Sequence, residues 1–181
     1  MHNYMKLEIA ARSENESFAR SAVAAFALCL NPSLSELSDI KTAVSEAVTN
    51  AIVHAYQKQT NGVISIHCIA ESTHTDTDEG TEVENAGGIL HIEITDQGCG
   101  IADVEQALLP FFTTLAGEER SGMGFTVMQT FCDGFSIESE QGKGTTVRLL
   151  KKIGISPSEK LSGLPCDGEL VGLEKDEAHA G

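Results

Sequence analysis

The chain has 181 residues, of which 41% are hydrophobic and 22% are charged, and its formal net charge is -15. This length and balance fit one compact domain with a tail or an insertion, and no stretch approaches the roughly 18 consecutive apolar residues that a membrane span needs. The negative charge repels the phosphates of nucleic acids, which disfavours direct DNA or RNA binding and suits a basic protein partner.

The cysteines and the N-terminal residues exclude further classes. The five cysteines are scattered and include no C-x-x-C pair, which argues against a disulfide framework and a zinc site. The opening residues MHNYMKLEIA lack a basic segment followed by an apolar one, so no secretory signal is expected. We therefore expect a cytoplasmic protein without membrane contact.

A strand and a helix are predicted first. Met5, Leu7 and Ile9 alternate with more polar residues, which is the period of a half-buried strand. Ser13 and Glu16 have the spacing of a capping box, so a helix is expected from that point. The side of this helix expected to face the core carries Phe18, Ala22, Ala25, Phe26 and Cys29.

A second, longer helix is predicted after Asn31-Pro32. Ser33 and Glu36 form its predicted capping box. Apolar residues then recur at spacings of three and four, which predicts a buried helical stripe. The stripe consists of Ile40, Ala43, Val44, Ala47, Val48, Ala51, Ile52 and Ala55. Its many small residues suit close packing on a sheet.

The second half of the chain is dominated by predicted strands. Their sequences are GVISIHCIA from Gly62, ILHIEIT from Ile89, FSIES from Phe135 and GTTVRLLKK from Gly144. The order of elements is strand, two helices, strands, short helices, strands. It predicts an α+β two-layer sandwich with the helices packed on one face of a mixed, largely antiparallel sheet.

Two segments fall outside this pattern. Residues 71–88 are polar and acidic and read as an extended hairpin loop or a disordered insertion. Hydrophobic periodicity stops after Ile153, so residues 154–181 are expected to form a mostly flexible tail. We therefore expect one folded domain over residues 1–153.

Two polar features stand out, one within the second predicted helix and one after a predicted strand. Glu46 and Asn50, within SEAVTNAIVHAY, lie one helical turn apart, which places their Cβ atoms about 5–6 Å from each other. Asp96, Gly98 and Gly100 follow a strand in DQGCGI. There a carboxylate can accept a hydrogen bond from an exocyclic amine while glycines let a ligand approach the backbone. Alone, this second motif is more typical of a tight turn than of a ligand site.

Two glycine pairs complete the set. Gly122 and Gly124 precede a predicted helix, whose free N–H groups would form an anion site. This helix is expected to turn Phe125, Met128 and Phe131 or Cys132 to the core. Gly142, Gly144, Thr145 and Thr146 open the last strand. Each pair is common without a ligand, but four such features in this order are hard to obtain by chance.

This constellation resembles the ATP-binding domain shared by histidine kinases, type II topoisomerases, Hsp90 and the mismatch-repair ATPases. The resemblance implies that Asn50 is the Mg²⁺ ligand of an N box and that Asp96 binds the adenine amine. It also implies that the glycines shape the pocket and that Thr145 or Thr146 supports the base. The cofactors expected from it are ATP and Mg²⁺.

The match is closer to one family. ARSENESFARSAVAAF, ELSDIKTAVSEAVTNAIVHAY, FFTT, ERSGMGFTVMQTF and GTTVRLLK resemble the anti-sigma F factors of endospore-forming bacteria, which are serine kinases of this superfamily. The resemblance implies a homodimer that inhibits the sporulation sigma factor F when ATP is bound. It also implies phosphorylation of a serine on the anti-anti-sigma factor.

The resemblance assigns roles to individual residues. Glu46 corresponds to the candidate general base, Asn50 would hold Mg²⁺ through its amide oxygen, and Arg20 matches an arginine that docks protein partners. Arg120 and Ser121, just before Gly122, lie where groups of a lid can meet the triphosphate.

Two other functions of this superfamily fit the sequence less well. A conformational ATPase needs transducer domains for which about 150 folded residues leave no room, and a sensor histidine kinase needs an upstream helical phosphoacceptor segment. The lid sequence FFTTLAGEERSG has Leu115-Ala116 where family lids usually have Lys-Pro. This difference keeps one alternative open, a nucleotide-dependent sigma-binding module that has lost phosphotransfer.

Overall fold

The structure is a computed structural model, and it describes residues 2–56, 61–72, 87–111 and 122–154. Its five strands are β1 (His2–Ala10), β2 (Val63–Ser72), β3 (Gly88–Asp96), β4 (Gly134–Glu140) and β5 (Gly144–Ile153). Its α-helices are α1 (Ser13–Ala27), α2 (Leu34–Asn50), α3 (Val104–Ala107) and α4 (Gly124–Phe131). A 3₁₀ turn (Leu28–Leu30) follows α1 and a π-helical turn (Ala51–Ala55) follows α2.

The strands form one sheet in the order β1-β2-β3-β5-β4. All four pairings in the described residues are antiparallel. β3 and β4 run in the same direction, but β5 lies between them, so the parallel contact that a mixed sheet would contain does not form there. The predicted α+β architecture is confirmed, with the strands near their predicted positions.

The core lies between the sheet and the helices. Alternate residues of β2 and β3 are buried, as the predicted period of two requires. The largest fully buried side chains come from both layers and are Leu30, Ile40, Ile64, Ile66, Leu90, Ile92, Met128 and Ile153. No helix among the described ranges is long and apolar enough to cross a membrane.

The start of α2 confirms the second predicted capping box. The N–H of Glu36 donates to Ser33 Oγ at 3.2 Å, and the N–H of Ser33 donates to Glu36 Oε2 at 2.8 Å. Glu36 Oε1 also accepts from the N–H of Gly154 at 3.0 Å, which ties α2 to the end of β5. Burial raises the pKa of Glu36. Hydrogen bonds from Ser33 and Gly154 and the charge of Lys151 together lower it by more, so the pKa is below the ordinary value.

The start of α1 differs from the prediction. Ser13 is the first helical residue, and Arg12 is the N-cap, without a side-chain capping bond. The connection from β1 is tight, since Arg12 N donates to Ala10 O at 2.8 Å, so the helix begins one residue earlier than a Ser13 cap would require. The predicted capping box of Ser13 and Glu16 is therefore wrong.

The buried face of α1 agrees with the prediction only in part: Phe26, and Cys29 just after the helix, are partly buried and pack against the core. Phe18 is 55% exposed and Ala25 is exposed. The residues that face the core are smaller and adjacent in the helix, namely Ala19, Val23, Ala24 and Ala27. Because α1 is apolar on two sides, either side satisfies the helical period, and the smaller one allows closer packing against α2.

The ordered contacts of the described residues extend into both ends of the predicted insertion and into the start of the predicted tail. Glu71 and Ser72 still pair with β3, and Gly88 begins it, so the strands extend into the predicted insertion from both ends. Gly154 is hydrogen bonded to Glu36. The rest of the predicted insertion and tail, residues 73–86 and 155–181, lies outside the described residues.

The two predicted caps allow a matched test of stability. Ser33→Ala removes a hydroxyl that caps α2, so we expect the free energy of unfolding to fall by about 0.5–2 kcal/mol. Ser13→Ala removes a hydroxyl that caps nothing, so its effect should stay within about 0.5 kcal/mol. Urea denaturation of both variants measures the difference, and equal losses would contradict the assignment of the caps.

Candidate functional site

Glu46 and Asn50 lie on α2 where the first residue of α4 comes closest. A Cβ built on Gly124 would lie 3.1 Å from Glu46 Oε2, 3.2 Å from Asn50 Nδ2 and 3.3 Å from Asn50 Oδ1. Any side chain at position 124 would therefore crowd both polar groups. The two features that are 74 or more residues apart in sequence meet at one point, where a carboxylate, an amide and a helix N-terminus converge.

Asp96 lies at the end of β3 with a buried carboxylate. It is 6% exposed and accepts a hydrogen bond from the N–H of Gly98 at 2.8 Å. Burial raises its pKa above the ordinary value, and hydrogen bonds from the backbone of Gly98 and Thr145 only partly offset this. Since the raised pKa favours the protonated form of the folded protein, ionisation of Asp96 lowers the stability as the pH rises from the ordinary value through the raised one.

The loop after Asp96 packs directly on the end of the helix that carries Asn50. The N–H of Cys99 donates to Ala55 O at 3.0 Å, and Cys99 Sγ lies 3.3 Å from His54 O. A Cβ on Gly98 would collide with the carbonyl of Ala55. The π-helical turn presents these carbonyls to the loop, and single π turns of this kind are frequent at functional sites.

The turn before β5 completes this junction. Gly144 has φ +104°, and a Cβ there would collide with the carbonyl of Asp96. Gly100 has φ +67°, and a Cβ would collide with the carbonyl of Glu140. The N–H of Gly142 donates to Cys99 O at 2.8 Å. Gly98, Gly100 and Gly144 therefore each lie where another backbone approaches closely, and the loop after Asp96 is in contact with the turn before β5.

The two threonines that open β5 point to opposite faces of the sheet. Thr145 is buried and pairs with Asp96 across the sheet. Thr146 faces away from the helices, where its hydroxyl lies 3.1 Å from that of Thr95. Of the two residues that the resemblance offered, only Thr145 lies beside Asp96.

Two further residues hold the site together. Ser139 Oγ lies 2.9 Å from Thr145 Oγ1, donates to Gly144 O at 3.0 Å and accepts from the N–H of Ile101 at 2.8 Å. Tyr56 OH donates to Val63 O at 2.6 Å and accepts from Gln97 N at 2.9 Å, which ties the end of the π turn to the residue after Asp96.

Sequence reasoning missed both residues. Their partners lie in other elements, and neither residue type has a spacing that would have indicated the role.

The remaining predicted site residues are on α1 or belong to the predicted lid. Arg20 is on α1, with a partly exposed side chain 3.3 Å from Glu16 Oε1 one turn earlier. Gly122 has φ +61°, and its carbonyl accepts from the N–H of Phe111 at 3.1 Å. Arg120 and Ser121, with the rest of the predicted lid between Phe111 and Gly122, lie outside the described residues.

A groove of about 440 Å³ opens at the ends of β3, β4 and β5. It reaches Asp96 and Thr145, but it is also lined by Thr95, Thr146 and Glu138, which lie on the face of the sheet away from the helices. Glu46 and Asn50 do not line it. The contacts at Gly124, rather than this groove, therefore define the site on the helical side.

The residues present fit a metal-bound nucleotide. Asn50 Oδ1 is a hard oxygen donor of the kind that Mg²⁺ prefers, and the carboxylate of Glu46 flanks the same point beside Gly124. The N-terminus of α4 at this point suits phosphate oxygens. At the other end, the buried carboxylate of Asp96 can accept a hydrogen bond from an amine.

The chain is similar to known proteins over most of its length. Residues 9–151 match the family described as the histidine kinase-like ATPase domain. The chain is 50% identical over 156 residues to the anti-sigma F factor of Geobacillus kaustophilus (strain HTA426), a match covering 86% of this chain and 97% of that relative. It is 50% identical over 153 residues to the anti-sigma F factor of Clostridium botulinum (strain Eklund 17B / Type B), covering 84% and 96%.

A solved structure shares the fold. The RsbU and RsbW domains of a Mycobacterium tuberculosis protein superpose with a TM-score of 0.50 at 15% identity, over 83% of this chain and 32% of that chain. The family match and the two relatives each extend over most of the chain. The chain therefore belongs to the anti-sigma F factor family, and residues 9–151 form a histidine kinase-like ATPase domain.

Proposed function

We propose that this protein is an anti-sigma factor that binds and inhibits the sporulation sigma factor F. We further propose that it is a serine kinase, which phosphorylates a serine of the anti-anti-sigma factor with Mg-ATP. The observation that carries the proposal is the convergence of Glu46, Asn50 and the start of α4 at Gly124. This convergence supplies a carboxylate, an amide oxygen and helix N–H groups at one point.

Asn50 and α4 would hold the phosphate end of the nucleotide. The amide oxygen of Asn50 is a Mg²⁺ ligand of the hard type, and the metal supplies charge neutralisation when it is bound. The first N–H groups of α4 have no partner within the helix and point toward its N-terminal side. In a chain of net charge -15, such local donors are needed to offset the general repulsion of phosphates.

Glu46 would act on the acceptor serine. Its carboxylate accepts the proton of the serine hydroxyl as the serine oxygen forms a bond to the γ-phosphorus. The bond from that phosphorus to the oxygen bridging to the β-phosphate breaks, and ADP leaves with that electron pair. Because Glu46 stands one turn from Asn50, the base and the metal ligand act on the same phosphate.

Asp96 and Thr145 would bind the base. The carboxylate of Asp96 accepts a hydrogen bond from the adenine amine, and the Thr145 side chain, fixed by Ser139, lies beside it. We propose that Arg20 contributes to partner binding, because its guanidinium is partly exposed on α1. A cytoplasmic homodimer with one folded domain over residues 1–153, interrupted by the acidic insertion, remains part of the proposal.

The full chain with Mg-ATP labelled at the γ-phosphate, sigma factor F and the anti-anti-sigma factor provides the direct test. We expect label on a serine of the anti-anti-sigma factor and ATP-dependent capture of sigma. Capture without label would replace the kinase by the sigma-binding module. If neither occurs, the proposal is wrong.

Variants of α2 separate the proposed base from the metal ligand. Glu46→Gln keeps the size of the side chain but cannot accept a full proton, so transfer should fall by at least about 100-fold. Its ATP affinity should change little. Asn50→Ala should weaken both Mg²⁺-dependent ATP binding and transfer. Rates of label transfer and calorimetric ATP titrations measure these effects, and normal transfer by Glu46→Gln would exclude Glu46 as the base.

Gly124→Ala tests the close approach of α4. Alanine favours a helix by up to about 1 kcal/mol over glycine, so the stability should not fall greatly, yet the added methyl crowds Glu46 and Asn50. We expect ATP affinity to fall on the order of 10-fold, equivalent to about 1.4 kcal/mol. Gly134→Ala is the matched control, because its Cβ would lie 3.1 Å from Leu150 Cβ, away from the site. Equal ATP affinities for the two variants would contradict the site geometry.

Titration of Asp96 tests the adenine contact. A hydrogen bond from the amine stabilises the carboxylate, so ATP should lower the raised pKa of Asp96, and ATP affinity should decline as the pH falls through that pKa. Carboxyl NMR signals report the pKa with and without nucleotide. Purine riboside triphosphate, which lacks the 6-amino group, should leave the pKa higher than ATP does. Identical values with both nucleotides would exclude this contact.

A further inference from the structure

A buried lysine lies at the opposite end of α4 from the candidate site. Lys151 is 7% exposed on the core-facing side of β5. Its Nζ donates to Asp39 Oδ2 on α2 and to the carbonyl of Phe131 at the end of α4, both at 2.7 Å. Lysine is almost never buried unless it is paired. We call these three groups the α4 latch.

The same number of residues separates the latch from the candidate site on α2 and on α4. Asp39 precedes Glu46 by seven residues on α2, and Phe131 follows Gly124 by seven residues on α4. Because the latch joins one end and Gly124 meets Glu46 at the other, the helices run antiparallel side by side. Seven residues span about 10 Å in each helix, so a latch at one end sets the axial position of α4 at the other.

The bonds of the latch are directional and enclosed. The carbonyl of Phe131 is among the last of α4 and has no partner further along the helix, so a cation there satisfies it and complements the helix dipole. Burial raises the pKa of the adjacent Cys132 thiol to about 11, as expected in an enclosed environment. Apolar contacts such as those of Met128 tolerate small sliding, whereas a 2.7 Å hydrogen bond does not.

We propose that Lys151 is a positioning residue, which fixes α4 along α2 so that the start of α4 at Gly124 stays against Glu46 and Asn50. This inference rests on the proposed function where it concerns nucleotide binding. Without the latch, the helix can shift along α2, and the N–H groups that receive phosphate move away from the metal ligand. A shift of about 1 Å at such a site lowers activity strongly.

The test must separate positioning from simple stabilisation. Lys151→Met alone leaves Asp39 without its cation and risks unfolding. The double variant Lys151→Met with Asp39→Leu replaces the ion pair by apolar groups, a change that is often neutral or stabilising. Lys152→Met is the matched control, because it removes the same charge from the neighbouring position without touching the latch.

ATP affinity and urea midpoints of the full chain are measured together. We expect the double variant to keep the parental midpoint but to bind Mg-ATP at least about 10-fold more weakly, with a lower rate of transfer. Lys152→Met should match the parent in both. A double variant with parental midpoint, affinity and rate would overturn the proposal.

A readout without nucleotide separates this inference from the proposed function. In the parent, NMR cross-peaks are expected between the Gly124 Hα and the side-chain amide of Asn50, since these groups are close. The peaks should weaken in the double variant and persist in Lys152→Met. Persistence at parental intensity in the double variant would overturn the positioning role even if the parent showed no kinase activity.

A milder variant keeps the test valid if the double variant does not fold. Asp39→Asn retains an oxygen acceptor for Lys151 and removes only the charge. It should keep the cross-peaks and an ATP affinity within about 3-fold of the parent, because the bond to Phe131 remains. Loss of the cross-peaks in Asp39→Asn with the fold intact would show that Asp39, rather than the bond from Lys151 to the carbonyl, sets the position, and would overturn the proposal.

Discussion

The absence of a side chain at Gly124 is the constraint on which the site depends. The start of α4 lies against the face of α2 that carries Glu46 and Asn50, at distances that leave no room for a Cβ without displacement. A helix N-terminus offers unpaired N–H groups only to what lies directly before it. The proximity of these donors to the carboxylate and the amide therefore follows from the contact between the backbone at Gly124 and the side chains of Glu46 and Asn50.

Electrostatics explain why the site is built from backbone groups as much as from side chains. The chain has a net charge of -15, and two of its candidate site residues, Glu46 and Asp96, are carboxylates. An anionic ligand then requires dipoles and a metal ion to offset repulsion. Burial of Asp96 raises its pKa, so the folded protein disfavours its ionised form. A carboxylate retained under that penalty is consistent with a binding role rather than a structural one.

Local patterns in the sequence predicted the helices and strands well, whereas features that depend on long-range contacts could not be predicted from them. The strands, α2 and its Ser33 cap follow from periods and spacings that neighbouring residues determine. The full core face of α1 was not predictable, because apolar residues lie on more than one side of the helix: Phe18 is exposed, whereas Phe26 packs against the core. The π turn was missed because shifting hydrogen bonds by one residue hardly changes the apolar pattern. Tyr56 and Ser139 act through partners in other elements, which spacing along the chain does not reveal.

β5 connects both ends of the arrangement. Thr145 and Lys151 are on the same side of this strand, the first beside Asp96 and the second at the end of α4. α2 runs alongside, from Asp39 at the latch to Asn50 at the site. The proposed adenine-binding and phosphate-binding ends of the candidate site are therefore both held by the same two rigid elements, β5 and α2. Sites held by helices and strands keep their geometry more closely than sites held by loops, so, under the proposed role of Lys151, a displacement of α4 along α2 is the motion that would disturb this site.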